Sequence, residues 1–519
     1  MTTPGLPLSA LLADLPHQSE PGTAPTADPW ITGLALDSRR VKPGDLFLAL
    51  AGRREHGLVH AAHARARGAV AVAYEASPDH PPAPTALPAV AIPALSRHCA
   101  PLAARFYGDP AQDMQIIGVT GTDGKTSVSH FLAQALHQPD QPCGLLGTLG
   151  YGLPVWPIGS PLRLTPLPHT TPDPVTLQAC LADLRAQGVK RVVMEASSHA
   201  LDQERLAGIT IAVAVLTHLS RDHLDYHGDL ASYAAAKAKL FQRPEQPQAV
   251  LNLDDAFGRE LAAQLPPARV FGYGLTRRGE RPAAPAHCWP QRYSEGQQLY
   301  LSEAGVRLNA ATATGKYALA TELLGVFNAY NMLATFTALL ALDLPPAQAA
   351  KRLPRLSSVP GRMQRIGQGA RPVVVVDYAH TPAALTAVLQ ALQAHCRGRL
   401  SVVCGCGGER DRGKRPLLAA AAEAGADQVI LTDDNPRGEA PARIVADMLA
   451  GCQAPQAVTV IHDRPAAIAT AIAMAAAKDT VLIAGKGHET VQIIGDHRLP
   501  CNDAELAAAA LARRAEQVA

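Results

Sequence analysis

Aromatic side chains make up only 4% of the 519 residues, and 47 basic residues nearly cancel 45 acidic ones, leaving a formal net charge of +2. With no Lys/Arg block and no aromatic-basic interleaving, that balance excludes a general pull toward nucleic acid, so anionic ligands must be held by local groups. Long apolar runs are missing too. No segment reaches the roughly 18 residues that span a bilayer, and Met1 to Gln18 holds no basic stretch followed by an apolar core. No membrane partner and a cytoplasmic location are expected. The nine cysteines are scattered and odd in number, and Cys404-Gly405-Cys406 lacks the spacing of a zinc or redox site. Reduced thiols are expected rather than a disulfide framework.

What the chain does have is a phosphate cradle. The apolar run Met114 to Val119 leads directly into Gly121-Thr122-Asp123-Gly124-Lys125-Thr126-Ser127. Small residues let backbone N–H groups approach phosphate oxygens, Lys125 adds a point charge, and the Thr126 hydroxyl suits a nucleotide-bound Mg²⁺. The loop is a variant, because Gly118 to Gly124 encloses five residues rather than the usual four. Use of ATP or GTP follows.

The length calls for about three domains. The first region, to about residue 110, carries short strand-like runs around Leu36-Asp37-Ser38-Arg39 and Pro43-Gly44-Asp45, with a proline-rich excursion from Pro78 to Pro88. The second, 111–358, alternates strands such as Arg191 to Met194 and Ile211 to Leu216 with helices such as Pro174 to Gln187, a pattern that predicts a parallel sheet. In the third, 359–519, strands at Val373 to Asp377, Leu400 to Val403, Gln428 to Leu431 and Val481 to Ala484 are separated by helix-length segments, predicting a doubly wound, Rossmann-like domain. The fold class is α/β throughout.

Ligands of open parallel sheets bind beyond the carboxyl ends of the strands, and that is where the polar groups gather. Glu195-Ala196-Ser197-Ser198-His199 follows one strand and Thr217 to Asp225, with His223, follows another. Glu195 is a natural Mg²⁺ ligand, since hard cations prefer oxygen. On a helix beginning near Ser232, Lys237 lies one turn beyond Tyr233; by pattern alone it is a solvated lysine. Asp433-Asp434-Asn435-Pro436-Arg437 ends a strand of the third region with acids, an amide and a guanidinium, a set suited to a zwitterionic amino acid. Gly485-Lys486-Gly487-His488-Glu489 ends another and permits close backbone approach.

Taken in order, these motifs resemble the Mur ligases, ATP-dependent amide-forming enzymes of peptidoglycan synthesis. The resemblance also takes in Thr170-Thr171-Pro172-Asp173, Asp222 to His227, Gly325 to Asn331, Gly361-Arg362-Met363 and Asp377 to Pro382. The Asp434 to Arg437 turn resembles that of the members that add meso-2,6-diaminopimelate to UDP-N-acetylmuramoyl-L-alanyl-D-glutamate. The resemblance implies that the 121–127 loop, Asn328, Arg362, Asp377 and His380 hold ATP, that Thr126, Glu195 and His223 lie near Mg²⁺, and that Lys237 is carbamylated. It implies that Leu36, Ser38, His169, Thr170, Thr171, Ser197, Gln203 and Arg205 hold the UDP-muramoyl dipeptide. It further implies that Arg410, Asp434, Asn435, Pro436, Arg437, Gly485 and Glu489 hold diaminopimelate, and that the enzyme is a monomer with small-molecule substrates. Lys125, Glu195, His223 and Lys237 form the expected catalytic set. Asp123, Ser127, His169 and His218 depart from the residues usual at their positions. A folylpolyglutamate-type ligase is one alternative, opposed by the first region and the Asp434 to Arg437 turn; a lysine-adding Mur ligase is closer but usually lacks arginine in that turn; a nucleotide-driven switch is the alternative from another class.

Overall fold

A computed structural model describes the chain except residues 1–4, 17, 20–27, 53–54, 77–86, 154–163, 277–291, 368–371 and 519. Most of the proline-rich excursion therefore falls outside the described residues. Chain contacts define two compact units, one containing the described residues up to 250 together with 255–269, the other 251–254 and the residues from 270 onward.

In the first unit, β1 (Gly33–Ala35), β2 (Asp45–Ala49), β3 (Ala71–Ala76) and β4 (Ala89–Pro93) run parallel in consecutive order within a five-stranded sheet. Successive side chains of a strand point to opposite faces. Leu46 and Leu48 accordingly enter one core and Phe47 and Ala49 another. The helix α1 (Leu95–Phe106) seals the first of these cores with Leu95, Cys99, Leu102, Ala103 and Phe106, spaced along one helical face.

The larger sheet of this unit holds β5 (Gln115–Thr120), β6 (Cys143–Gly147), β7 (Arg191–Glu195) and β8 (Ile211–Leu216), parallel and ordered β6-β7-β5-β8. Between them run α2 (Lys125–Leu136) and α3 (Pro174–Ala186), the latter capped by Asp173, whose carboxylate accepts from Thr176 N–H. From β5 the chain goes first to the β6 side and later to the β8 side, so a crevice opens at the carboxyl ends of β7, β5 and β8. The expected parallel sheet is present, and the three polar segments all leave its strands at that end. A further helix, α4 (Leu230–Ala238), carries Lys237.

In the second unit, β9 (Val270–Leu275), β10 (Arg292–Ser302), β11 (Gly305–Thr312) and β12 (Gly315–Thr321) form a ladder backed by α5 (Val326–Ala341). A separate six-stranded sheet contains β13 (Val373–Asp377), β14 (Leu400–Cys404), β15 (Gln428–Leu431) and β16 (Thr480–Ala484), in the order β13-β16-β14-β15 and parallel. Val373 and Val375 face one core; Val374 and Val376 face the other. Burial on both faces is why these strands read as unbroken apolar runs. The helices α6 (Pro382–Gln393), α7 (Lys414–Gly425) and α8 (Pro441–Leu449) cover the first face, and α9 (Arg464–Met474) with α10 (Asp503–Val518) the second. That is the expected doubly wound arrangement. All eight described cysteines are unpaired, and among the described residues no helix is long and apolar enough to cross a membrane.

Candidate active site

The loop after β5 is laced to the segment after β8. Gly121 adopts φ +144°, and a Cβ there would lie 1.8 Å from Thr217 Oγ1, so no other residue fits without displacing that hydroxyl. Thr217 Oγ1 donates to Asp123 O at 2.6 Å, Thr122 N–H donates to His218 O at 2.8 Å, and Thr122 Oγ1 donates to Ser220 O at 3.1 Å. Lys125 opens α2 and turns its ammonium onto Gly121 O and Thr122 O, 3.0 and 2.7 Å away. A lysine at a helix N-terminus, where the helix dipole is positive, is the local chemistry that favours an anion in a chain of nearly balanced charge.

Glu195, at the end of β7, is fully buried. Its Oε2 accepts from Thr126 Oγ1 at 3.0 Å and Thr148 Oγ1 at 3.1 Å, and its Oε1 from Thr148 N–H at 2.8 Å. Burial raises its pKa, against the pull of the Thr148 N–H, Lys125 and the two hydroxyls. A buried carboxylate ringed by hydroxyl oxygens is a donor set for a hard cation, and no group of three His, Cys, Asp or Glu is gathered for a metal among the described residues.

Lys237 is 1% exposed, so the solvated-lysine expectation fails. Its Nζ donates to Gly121 O at 2.7 Å and lies 4.3 Å from the Tyr233 ring centre. Burial, with the repulsion of Lys125, pulls its pKa down to about 6, although Asp222 and Asp123 act in the other direction. At neutral pH the amine is largely unprotonated and nucleophilic. His223 is exposed with φ +52°, its Nε2 3.4 Å from Asp222, in an aromatic group with His199 and Tyr233. The departures Asp123 and His218 face each other at 3.5 Å.

A neighbouring network joins several residues expected at the nucleotide-sugar site. Thr171 Oγ1 donates to Glu195 O at 2.7 Å and accepts from Ser197 N–H at 3.1 Å. Arg205 donates to Thr171 O at 2.7 Å and grips Gln203 Oε1, and Thr170 meets Thr148 at 3.1 Å. His169 is exposed beside them in sequence, and Ser127 sits in the first turn of α2. Leu36 and Ser38 lie just beyond β1, with Ser38 Oγ 3.0 Å from His63 Nδ1.

In the second unit, Asp377 ends β13 and is buried; its two oxygens accept from Met363 N–H at 2.7 Å and Ala379 N–H at 2.8 Å, and burial raises its pKa. Arg362 stacks 5.1 Å over Tyr378, which also packs against His380 and His488. Asn328, in the first turn of α5, donates to Leu324 O just ahead of that helix at 2.7 Å and accepts from Asn331 within it at 2.9 Å.

The Asp434 to Arg437 turn packs against the segment after β14. Arg437 has φ +52° and donates from Nη1 to Gly408 O at 2.8 Å. A Cβ on Gly407 would lie 3.0 Å from Arg437 Nη1 and 3.7 Å from Arg410 Cγ, so both arginines flank that glycine. Gly485 has φ +114°, and a Cβ there would lie 2.9 Å from Asp434 Oδ2. Asn435 Nδ2 donates to Glu489 Oε2 at 3.0 Å. Guanidinium, amide and two carboxylates thus come from segments about 50 residues apart in sequence, ordered by the parallel sheet. Sequence reasoning missed Thr148, Tyr378, His488 and Lys486; the last two were visible only as members of a glycine-rich turn, and Thr148 carried no signal.

Three sequence profiles cover most of the chain: the Mur ligase family catalytic domain over residues 30–107, the Mur ligase middle domain over 119–339, and the Mur ligase glutamate ligase domain over 361–487. A UDP-N-acetylmuramoyl-L-alanyl-D-glutamate–2,6-diaminopimelate ligase of Ectopseudomonas mendocina is 51% identical over 478 residues, 91% of this chain and 93% of that protein. One of the same name from Coxiella burnetii is 45% identical over 488 residues, 94% and 96%. A solved structure of a ligase with that name superposes with TM-score 0.69 at 37% identity, over 96% of this chain and all of the other.

Proposed function

Since the chain belongs to the Mur ligase family, we propose that it is an ATP-dependent ligase joining meso-2,6-diaminopimelate to UDP-N-acetylmuramoyl-L-alanyl-D-glutamate in peptidoglycan precursor synthesis. The observation that carries the reading is that one chain holds both a phosphate loop beside the buried Glu195 and the Asp434–Arg437 turn with its amide and carboxylate partners. Three functional segments divide the work in this reading: 1–110 for the UDP-muramoyl group, 111–358 for ATP and 359–519 for the amino acid.

A carboxylate is a poor acyl donor at neutral pH, so the γ-phosphoryl group of ATP passes to the D-glutamate side-chain carboxylate, making an acyl phosphate and ADP. The amine of diaminopimelate attacks that carbonyl, phosphate leaves with the bonding pair, and the amide nitrogen loses a proton. No protein nucleophile is required; the work is positioning and charge stabilisation. Lys125 and the N–H groups of the 121–127 loop hold the phosphates, and Asn328, Arg362, Asp377 and His380 belong to the nucleotide site. Thr126, Glu195, His223 and Lys237 as its carbamate would hold Mg²⁺, which neutralises charge building on the transferring phosphoryl group. The unprotonated Lys237 amine attacks CO₂, a C–N bond forms, a C=O pair moves to oxygen, and one proton is released. That converts a buried amine, which in its protonated form would repel a metal, into an anionic oxygen ligand. Leu36, Ser38, His169, Thr170, Thr171, Ser197, Gln203 and Arg205 hold the UDP-muramoyl dipeptide. Arg410 and Arg437, with the Asn435 amide N–H, meet the carboxylates of diaminopimelate, and Asp434 and Glu489, with Pro436 and Gly485 shaping the backbone, meet its ammonium groups.

The test is phosphate release from ATP with the muramoyl dipeptide substrate and diaminopimelate, L-lysine or no amino acid, with mass analysis of the product. A tripeptide and phosphate only with diaminopimelate support the reading. ATP hydrolysis indifferent to both other substrates would overturn it in favour of a nucleotide-driven switch.

A further inference from the structure

Behind the Asp434–Arg437 turn lies a cation that the reaction above does not use. The side chain of Lys486 is wholly buried, and its Nζ donates to Val491 O at 2.7 Å, Glu489 Oε2 at 3.0 Å and Asn435 Oδ1 at 3.1 Å. An ammonium has three N–H donors, so every one is spent inside the protein and none is left for a ligand. Two of the three groups that receive them, Asn435 and Glu489, are assigned to the amino acid. Asn435 Oδ1 also accepts from Ile493 N–H at 2.9 Å, which leaves Nδ2 to donate to Glu489 Oε2 at 3.0 Å. The amide orientation is thereby fixed, and Glu489 Oε2 is doubly held. Among the described residues Glu489 Oε1 has no hydrogen bond, and the Glu489 side chain is 34% exposed.

We propose that Lys486 is a positioning residue for the amino-acid site: it pins one oxygen of Glu489 so that the other is presented as a charged acceptor for an ammonium group of the substrate. The inference rests on reading this cluster as the diaminopimelate site. Three features distinguish it from a general structural staple. Glu489 is half-buried, where desolvation alone would favour its neutral form, and the bonds from Lys486 and then Asn435 reverse that effect and lower its pKa. Asn435 keeps the Ile493 N–H when the lysine is removed, so the loss of Lys486 runs through Glu489. Lys486 touches neither Arg437 nor any nucleotide-site residue in its hydrogen bonds.

Steady-state kinetics of Lys486→Met, Glu489→Gln and the double variant in the full chain test this. For K486M the KM for diaminopimelate rises at least about tenfold, while the KM values for ATP and the muramoyl substrate stay within about twofold. The acid limb of kcat/KM for diaminopimelate moves to higher pH, because Glu489 has lost the partner that favours its ionised form. In the double variant the loss is within about threefold of that in E489Q alone, since the two residues act as one unit. An unchanged KM for diaminopimelate in K486M, a parallel rise in all three KM values, or fully multiplicative losses in the double variant would each overturn the proposal. If K486M fails to fold because Glu489 is left as an unpaired charge, the double variant, which removes both charges, is compared with E489Q: equal constants support the proposal, and a further tenfold loss overturns it. If E489Q and Arg437→Ala both leave the diaminopimelate KM unchanged, the site reading itself fails; if they raise it and K486M does not, only the role of Lys486 fails.

Discussion

Arg437→Ala isolates the recognition of the amino acid from the chemistry of ATP. The guanidinium is half-buried, and its Nη1 is occupied by Gly408 O at 2.8 Å. The backbone is held independently, with Arg437 N–H donating to Ile493 O and its carbonyl accepting from Gly495 N–H, so truncation removes the side chain without releasing the turn. A hydrogen bond to a charged group contributes about 1.5–3 kcal/mol. With Nη1 committed to Gly408 O and Asn435 O, one forked grip on a substrate carboxylate remains, from Nε and Nη2. Two such bonds, offset by the water that enters the truncated site, leave about 2–3 kcal/mol. The expected fall in kcat/KM for diaminopimelate is therefore about 30- to 150-fold. The KM for ATP stays within about twofold, and the preference for diaminopimelate over L-lysine narrows by the same factor, because lysine lacks the distal carboxylate. Arg437→Lys restores the charge but not the planar fork and recovers only part of the loss. The assay is coupled phosphate release with each amino acid. A preference for diaminopimelate that survives Arg437→Ala would refute the argument.

Lys237→Met should abolish ligation yet stabilise the fold. The folded chain holds this amine with a pKa near 6 while the unfolded chain holds it near 10.5, so the unfolded state binds the extra proton between those values and stability rises with pH across that window. Removing the group at pH 7 in CO₂-depleted buffer gains on the order of a few kcal/mol, read as a higher Tm; an unchanged or lower Tm contradicts the placement. His130 is buried with its pKa pushed down to about 3 by desolvation. The unfolded chain takes up its proton from about pH 6.5 downward, so stability falls between pH 6.5 and 3, and His130→Leu shifts the acid unfolding midpoint to lower pH. Gly121→Ala puts a Cβ 1.8 Å from Thr217 Oγ1 at φ +144°; equilibrium binding of ATP should weaken at least about tenfold, with the KM for diaminopimelate unchanged. The facing departures Asp123 and His218, 3.5 Å apart, are coupled: Asp123→Asn and His218→Asn together change the ATP KM by less than the product of the single changes.

The strands of the second sheet were legible because burial on both faces leaves no alternation to misread, and the segment Val373 to Asp377 is a strand over those same residues. Helix ends were less so: α6 stops at Gln393, and His395, just beyond it, accepts from Gly325 N–H, a contact with no local signature. The phosphate loop was legible because its chemistry is contiguous in sequence. Lys237 was misread by pattern alone, since exposure depends on what α4 packs against; only the resemblance to known ligases pointed to its role. The partners of Asn328, Leu324 O ahead of α5 and Asn331 within it, are likewise seen only in the structure.

Sequence alone determined the α/β class, the phosphate cradle, the charged turn at Asp434 to Arg437 and the family. These are properties of runs a few residues long, where periodicity, glycine placement and side-chain chemistry act locally. Only the tertiary structure decided that Thr148 completes the shell of Glu195, that Asp123 meets His218, and that Lys486 is spent entirely on Asn435, Glu489 and Val491. Such pairings join side chains distant along the chain or buried by their neighbours, and burial and partner choice are set by how sheets and helices pack, which no local run of residues encodes.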